Sequence, residues 1–470
     1  MDMKVTEQRL EFSESLLNKY NATGPRYTSY PTAVEFTNEF QRADYRKIAQ
    51  TTSQAQPNQP LSLYFHIPFC DTICYYCGCS KIVTRNHALA TPYLKHLNTE
   101  INLQAELFAD RTVKQLHWGG GTPTFLSNQE MNELMLMTKK AFNLETSDAR
   151  EFSIEIDPRS VDSEGINVLA DIGFNRLSMG VQDFDPAVQK AVNRIQSEQE
   201  TLAVLTEARN SGFKSISIDL IYGLPKQDTE SFSNTLDKVV AVDPDRIAVY
   251  NYAHLPHLFK TQKGIKEYEL PSPDTKMEIL SLTIEKLTSA GYVYIGMDHF
   301  AKPDDELAIA QRTGHLHRNF QGYSTHADCD LVGMGLTSIG KVGNSYSQNY
   351  KDIESYYQSL SNNQLPIFRG IALDSDDLLR RAVISELMCH SRIDFDTIEQ
   401  TYDIDFKDYF AYAIGALTPF AEDGLLSVAV DHIQIKPAGR MLLRNIAMQF
   451  DAYLQPGGKT PQKATYSRLI

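Results

Sequence analysis

From residue 61 to residue 252 the spacing of hydrophobic positions switches repeatedly between a period of two and one of about 3.6. Alternating runs predict strands near 61–67, 113–118, 151–157, 175–182, 214–220 and 246–252. Helical spacing between them predicts helices near 88–108, 127–143, 162–172, 184–192, 197–211 and 229–241. Strands separated by helices make βαβ units and a mostly parallel sheet, so the chain reads as α/β. Six such units suffice to close, or nearly close, a barrel; a flat doubly wound sheet is the competitor. The strand faces favour the barrel. Ser153, Glu155 and Asp157 share one face and Ile154 and Ile156 the other. Ser178, Gly180 and Gln182 lie opposite Leu177, Met179 and Val181, and Ser215, Ser217 and Asp219 lie opposite Ile216, Ile218 and Leu220. Parallel strands are ordinarily apolar on both faces, so a polar face predicts a ligand cavity on that side. Glu155, Gln182 and Asp219 fall near the carboxyl ends of their strands, where active sites of such folds lie.

Two segments stand outside the alternation. The first 45 residues carry a helical stretch and then GPRYTSYP, an extended aromatic arm. Beyond about residue 365 the pattern predicts helices near 375–390, 394–402 and 405–420, two short strands at 425–429 and 432–436, and a helix at 438–450. Three helices with a hairpin suggest a winged-helix-like module. The expected organisation is an arm over 1–45, a barrel over 46–365 and a mostly helical C-terminal domain over 366–470.

A length of 470 residues fits about three domains at roughly 150 residues each, and 42% hydrophobic content rules out a disordered chain. With 59 acidic against 45 basic residues the net charge is −14, which argues against nucleic-acid and anionic-membrane partners. Residues 366–470 hold 11 Lys and Arg against 14 Asp and Glu, so the winged-helix-like tail lacks the basic face that DNA binding needs. No apolar run approaches the ~18 residues of a membrane span, and the polar N-terminus has no signal-peptide core. A soluble cytoplasmic protein is expected.

The cysteines supply the chemistry. Four of six fall within ten residues, Cys70, Cys74, Cys77 and Cys79, directly after the first strand; Cys329 and Cys389 stand alone. So dense a cluster in a cytosolic chain points to metal or redox chemistry, not to a disulfide framework. Thiolates at this spacing can hold zinc or an iron–sulfur cluster. Three of them can hold three irons of a 4Fe–4S cluster and leave the fourth iron open, as catalysis requires. Tyr75 and Tyr76 between the ligands could shield the cluster or stack on an adenine.

Cys-X3-Cys-X2-Cys at the end of the first strand resembles the radical S-adenosylmethionine (SAM) superfamily. That implies a partial (β/α)6 TIM-like barrel of the radical SAM type, and electron transfer from a 4Fe–4S cluster that cleaves SAM to methionine and a 5′-deoxyadenosyl radical. PRYTSYPTA, CGC, HWGGGTPT, SIEIDPR, RLSMGVQDF, IDLIYGLPKQ, NYAHLP, GMDHFA and HRNFQGYSTH together resemble the oxygen-independent coproporphyrinogen III oxidase (coproporphyrinogen dehydrogenase) family. The related haem chaperones share the three cysteines and GGGTP but usually lack the arm and the fourth cysteine; a radical SAM methyltransferase acting on haem is the other competing class.

The resemblance implies oxidative decarboxylation of two propionates of coproporphyrinogen III to vinyl groups, giving protoporphyrinogen IX in haem (porphyrin) biosynthesis. It makes Cys70, Cys74 and Cys77 the cluster ligands and gives the cluster-bound SAM to Tyr64, Tyr76, Gly120, Glu155 and Ile339. A second SAM would meet Cys79, Gly121, Thr122, Gln182, Arg194, Asp219 and Ala253. On sequence alone Arg194 reads as an exposed helix-end arginine. His66, two residues from Tyr64 and so on the same strand face, is the catalytic candidate. Arg26, Tyr27, Tyr30, His317 and Arg318 are candidates to meet the carboxylates of the ring. The arm is expected to act as a lid over a reactive radical. An unidentified electron donor and acceptor are implied, and a monomer is expected.

Overall fold

The computed structural model describes residues 10–455 apart from 109 and 327–328, together with Lys459 and Tyr466. Contacts divide the chain into two compact units, one of residues 36–286 and 328–372, the other of residues 1–35, 287–327 and 373–470.

The larger unit is built on one sheet. Six of its strands are β1 (Leu61–Ile67), β2 (Thr112–Gly120), β3 (Glu151–Ile156), β4 (Arg176–Gln182), β5 (Ser215–Tyr222) and β6 (Arg246–Asn251). All six are parallel and lie side by side in chain order. Helices Ala90–Phe108, Asn128–Ala141, Ser163–Ile172, Glu198–Asn210 and Thr229–Ala241 connect them. This is the partial (β/α)6 arrangement that the alternation predicts. Local chemistry starts the helices where it predicts them. Ser127 with Glu130, Ser197 with Glu200 and Asp228 with Ser231 form reciprocal capping boxes at three helix N-termini. The two strand faces differ as expected. Phe152, Ile154, Leu177, Met179, Ile216 and Ile218 are buried under the helices, whereas Glu155, Ser178, Gln182 and Asp219 are not.

Four further strands were not legible in the hydrophobic pattern: β7 (Asp330–Met334), β8 (Ile339–Val342), β9 (Ser345–Asn349) and β10 (Ile367–Ala372). β7 runs parallel to β1 on the side away from β2, and β8, β9 and β10 follow antiparallel. For β9 the reason is composition. All five residues of β9, SYSQN, are buried, so its polar side chains are hidden from a search for apolar periodicity. They are satisfied internally: Asn349 Nδ2 donates to Glu100 Oε1 (2.6 Å) and to Gly335 O (2.9 Å). Glu100 is fully buried and also accepts from Tyr356 (2.6 Å) and from the Gly335 backbone (2.8 Å). Burial raises its carboxyl to about 7 in spite of these donors.

In the smaller unit the helices Ser375–His390 and Phe395–Tyr402 lie where the pattern puts them. The expected helix over 405–420 is instead three short ones, Phe406–Tyr409, Ala411–Ala416 and Thr418–Glu422. Pro419, at the start of the third, explains the second break, since proline has no N–H to continue a helix. The two predicted strands gain a third partner, giving a small antiparallel sheet of Arg392–Asp394, His432–Ile435 and Leu426–Val428. The expected final helix is one short α-helix, Leu443–Ala447, between 3-10 turns. Phe395 stacks on Phe406, Phe406 meets Phe410 at a tilt, and Phe410 meets Phe450 edge to face, a run of aromatic contacts in the unit's core. The described part of the arm is held by buried hydrogen bonds: Tyr27 donates to Asp451 (2.9 Å), the Ala452 N–H donates to Tyr30 (3.1 Å), and Arg444 donates to the Gly24 and Pro25 carbonyls. Among the described residues no helix is long and apolar enough to cross a membrane.

The amino ends of β1, β2 and β7 meet at a buried ion pair. Arg111 and Asp330 are 2% and 0% exposed and 2.8 Å apart, and Arg111 also donates to the Gln59 carbonyl. Arg111→Met leaves the Asp330 carboxylate buried without its cation and is expected to cost ~3–5 kcal/mol, seen as a lower urea midpoint. An unchanged midpoint would mean that the Gly343 N–H alone satisfies Asp330.

Candidate active site

The carboxyl ends of β2 to β5 and the loop after β1 enclose a cleft of about 480 Å³. Cys70, Cys74, Cys77 and Cys79 all line it, with Tyr76, Gly120, Gly121, Thr122, Glu155, Gln182, Arg194 and Asp219. Tyr64, His66, Ala253 and Ile339 are not among its lining residues.

The four thiols differ in their surroundings. Burial pushes Cys70 up to about 11, although Thr122 Oγ1 donates to its sulfur at 3.4 Å. Cys77 is pushed down to about 6, first because the Cys79 thiol donates to it, with Lys81 adding its charge. Lys81 Nζ also donates to the Cys77 and Cys79 carbonyls. The Cys74 sulfur accepts from two guanidinium groups, Arg194 Nη1 at 3.6 Å and Arg159 Nη2 at 3.8 Å. Both arginines also bind Asp157, at 2.9 and 2.6 Å. Burial would raise Asp157, but the two cations outweigh it and hold its carboxyl below the usual range. Arg194 is 6% exposed, and its Nη2 donates to the Gly180 carbonyl at 2.6 Å. It is therefore not the exposed helix-end arginine that the sequence alone suggests.

The glycine run has three separate steric reasons. A Cβ on Gly119 would lie 2.9 Å from Glu155 Oε1, one on Gly120 would lie 2.7 Å from the His66 ring, and one on Gly121 would lie 2.7 Å from the Phe69 carbonyl oxygen. Gly120 also has φ +113°, which disfavours any side chain. The run thus lets β2 end against the cysteine loop as well as leaving its backbone open to the cleft.

Glu155 keeps 48% of its side chain accessible and contacts His117 Nε2 at 3.1 Å. Burial would raise its carboxyl, yet His117 and the Gly120 N–H outweigh that and lower it. Asp219 behaves oppositely: burial, then the Glu155 charge, push it up to about 7, although Ser178 donates to it at 3.0 Å. Gln182 has φ +68° at a register shift between β4 and β5, which turns the strand end into the cleft.

Both His66 nitrogens are engaged, Nε2 with the Ser80 carbonyl (3.0 Å) and Nδ1 with the Tyr64 hydroxyl (3.2 Å). The carbonyl requires Nε2–H, so Nδ1 accepts from Tyr64 and the ring is neutral, as burial also favours. Ala253 is tied to the cysteine loop through Gln262, whose Nε2 donates to the Ala253 and Tyr76 carbonyls. Ile339 opens β8, and a Cβ on Gly333 of β7 would collide with its carbonyl. His117, Asp157, Arg159, Lys81 and Gln262 were not singled out from the sequence. The first three stand inside the quoted motifs HWGGGTPT and SIEIDPR, and the period-two face shared with Glu155 already points to Asp157.

Residues 64–239 match the Radical SAM superfamily model and residues 373–442 the HemN C-terminal domain model. The oxygen-independent coproporphyrinogen III oxidase of Salmonella typhimurium is 50% identical over 99% of this chain and 100% of its own. That of Synechocystis is 47% identical over the full length of both. The chain belongs to the oxygen-independent coproporphyrinogen III oxidase family. The solved structure of the Escherichia coli member, described as a radical SAM enzyme, superposes with a TM-score of 0.91 at 49% identity, covering 95% of this chain and 100% of the other. Membership makes this a radical SAM oxidoreductase, with the 4Fe–4S cluster and SAM that the superfamily implies. The donor set fits such a cluster: soft thiolates converge on one cleft, and cationic donors beside them offset their charge.

Because the folded state raises Asp219, its stabilising contribution is complete below about pH 4 and is lost as pH climbs through about 7. Asp219→Asn removes that loss. Urea midpoints of the metal-free protein should show the variant gaining on the parent between pH 5 and pH 8; an equal gap at both would refute the raised carboxyl.

Proposed function

We propose that this chain converts coproporphyrinogen III to protoporphyrinogen IX, decarboxylating two propionates to vinyl groups without oxygen in haem biosynthesis. The observation that carries the reading is the cleft of four cysteines at the strand ends, in a chain matched along its whole length by relatives of that name. Cys70, Cys74 and Cys77 would hold the cluster, which when bound supplies the electron that cleaves SAM to methionine and a 5′-deoxyadenosyl radical.

The chain's own residues position and seclude. Arg159 and Arg194 hold the Cys74 sulfur with charge-assisted donors and keep Asp157 ionised. Glu155, ionised, suits an ammonium or ribose hydroxyls, and Gly120 offers backbone at its side. Tyr64, Tyr76 and Ile339 complete this first SAM site. The second SAM site assembles Cys79, Gly121, Thr122, Gln182, Arg194, Asp219 and Ala253, and two SAM molecules suit a substrate that reacts twice. His66 takes the role of a positioning residue, since its bond to Ser80 fixes the segment after Cys79. The reading includes a cytoplasmic monomer served by a separate electron donor and acceptor.

Two predictions follow the cysteines. After anaerobic reconstitution with iron and sulfide, reduced protein given SAM and coproporphyrinogen III should yield protoporphyrinogen and 5′-deoxyadenosine, and Cys74→Ala should lose both. Deoxyadenosine without protoporphyrinogen would move the substrate elsewhere; neither product from a protein with a verified cluster would favour a haem chaperone. Cys79→Ala should retain wild-type iron and sulfide content while product formation falls, and a loss of iron would make Cys79 a ligand.

A further inference from the structure

Among the five residues that the sequence offers as partners for substrate carboxylates, one in the smaller unit has buried donors without a partner among the described residues. Tyr27 and Tyr30 are buried at 4% and 2% exposure, with their hydroxyls engaged on Asp451 and on the Ala452 N–H. Arg26 Nη1 donates to Asp298 at 3.2 Å. Arg318 differs. Its Nε and Nη1 are both buried and have no hydrogen-bond partner, and among the described residues it makes no ion pair.

Arg318 stands on a short hairpin, His317–Asn319 with Gly322–Ser324, directly across from Tyr323. The guanidinium carbon lies 4.8 Å from the Tyr323 ring centre, and the Tyr323 hydroxyl donates to the Met388 carbonyl, so the ring is a fixed platform. Two more polar atoms near this hairpin are buried without a partner. They are Gln321 Oε1 in its turn and Nδ1 of His390, whose ring lies 6.3 Å from that of His317. Buried polar atoms are almost always paired in folded proteins, so a group of them marks a place where a ligand supplies the partner.

The local charge specifies the ligand. Burial and then the charges of Arg26 and Arg318 push Arg444 down to about 10, with Asp298 opposing. Asp298 is already held by Arg26, and Arg318 and Arg444 lie close enough to feel each other's charge in a chain whose net charge is −14. Arg444 has Nε and Nη2 engaged on the Pro25 and Gly24 carbonyls. The uncompensated planar fork is that of Arg318, a shape that matches a carboxylate's two oxygens.

We propose that Arg318 is a binding subsite for one propionate carboxylate of the tetrapyrrole, with Tyr323 as the ring against which its guanidinium is fixed. The proposal rests on the tetracarboxylate substrate of the function above. It makes Arg318 a determinant of affinity for the acid groups and assigns it no part in SAM cleavage.

The test uses the full-length reconstituted protein. Binding of coproporphyrin III, the stable oxidised tetra-acid, and of its tetramethyl ester is followed by fluorescence in one detergent. Arg318→Gln should weaken the acid about tenfold or more and leave the ester unchanged, and Arg318→Lys should recover part of the loss. In turnover the KM for coproporphyrinogen III should rise by a similar factor while SAM cleavage without substrate is unaltered. Unchanged acid affinity in Arg318→Gln, or an equal loss for acid and ester, overturns the subsite. Arg318-dependent acid binding in a wild-type protein that forms no protoporphyrinogen supports the subsite and refutes the reaction, so the two failures are separable.

Discussion

The cleft depends on how one buried guanidinium is divided. Arg194 bonds at once to the Asp157 carboxylate, the Gly180 carbonyl and the Cys74 sulfur. Asp157 directly follows β3, Gly180 lies on β4, and Cys74 sits on the loop after β1, so a single side chain ties two strand ends to a distant loop. An arginine can do this because its fork presents several donors in a rigid plane, whereas lysine offers a point charge that meets one of these partners well. The guanidinium is held in a low-dielectric setting by a carboxylate that is itself held by Arg159. Neither charge would be stable there without the other.

The repeating part of the fold was readable because its central strands, β3, β4 and β5, bury one face much more than the other. β3, β4 and β5 show that face as isoleucine, leucine and methionine alternating with polar residues, and the capping boxes mark where the intervening helices start. β9 was not readable for the opposite reason. Ser345, Ser347, Gln348 and Asn349 are buried polar residues whose partners include the fully buried Glu100, from a helix more than two hundred residues earlier. Hydrophobic periodicity carries no trace of such a network.

The site divides along similar lines. The cysteines, glycines, Glu155, Gln182 and Asp219 declared themselves by spacing or by place at a strand end, and they meet in one cleft. Arg194 did not, because the residue type is usually solvent-exposed and only its tertiary partners bury it. His66 shared a face with Tyr64 as expected, and the lack of a Cβ at Gly120 leaves room for its ring, both of whose nitrogens are engaged. Gln262 lies in a loop without pattern, and only the folded chain shows it joining Ala253 to the cysteine loop.

Glu155 and Asp219 show what the register achieves. Glu155 of β3 stands opposite Ser178 of β4, and Gly180 of β4 stands opposite Asp219 of β5. Two carboxylates on one polar face then repel, and the donors decide which of them ionises. His117 and the Gly120 N–H belong to Glu155, whereas Asp219 has the Ser178 hydroxyl. Glu155 therefore remains an acceptor throughout the neutral range, while Asp219, raised to about 7, is divided between acceptor and donor. Neighbouring carboxyl groups pushed apart in this way take different ligands. An ammonium or hydroxyl belongs beside Glu155, and a group that can accept a hydrogen bond is tolerated beside Asp219. One polar barrel face can thereby hold two unlike ligand groups side by side, a capacity that a substrate reacting twice would use.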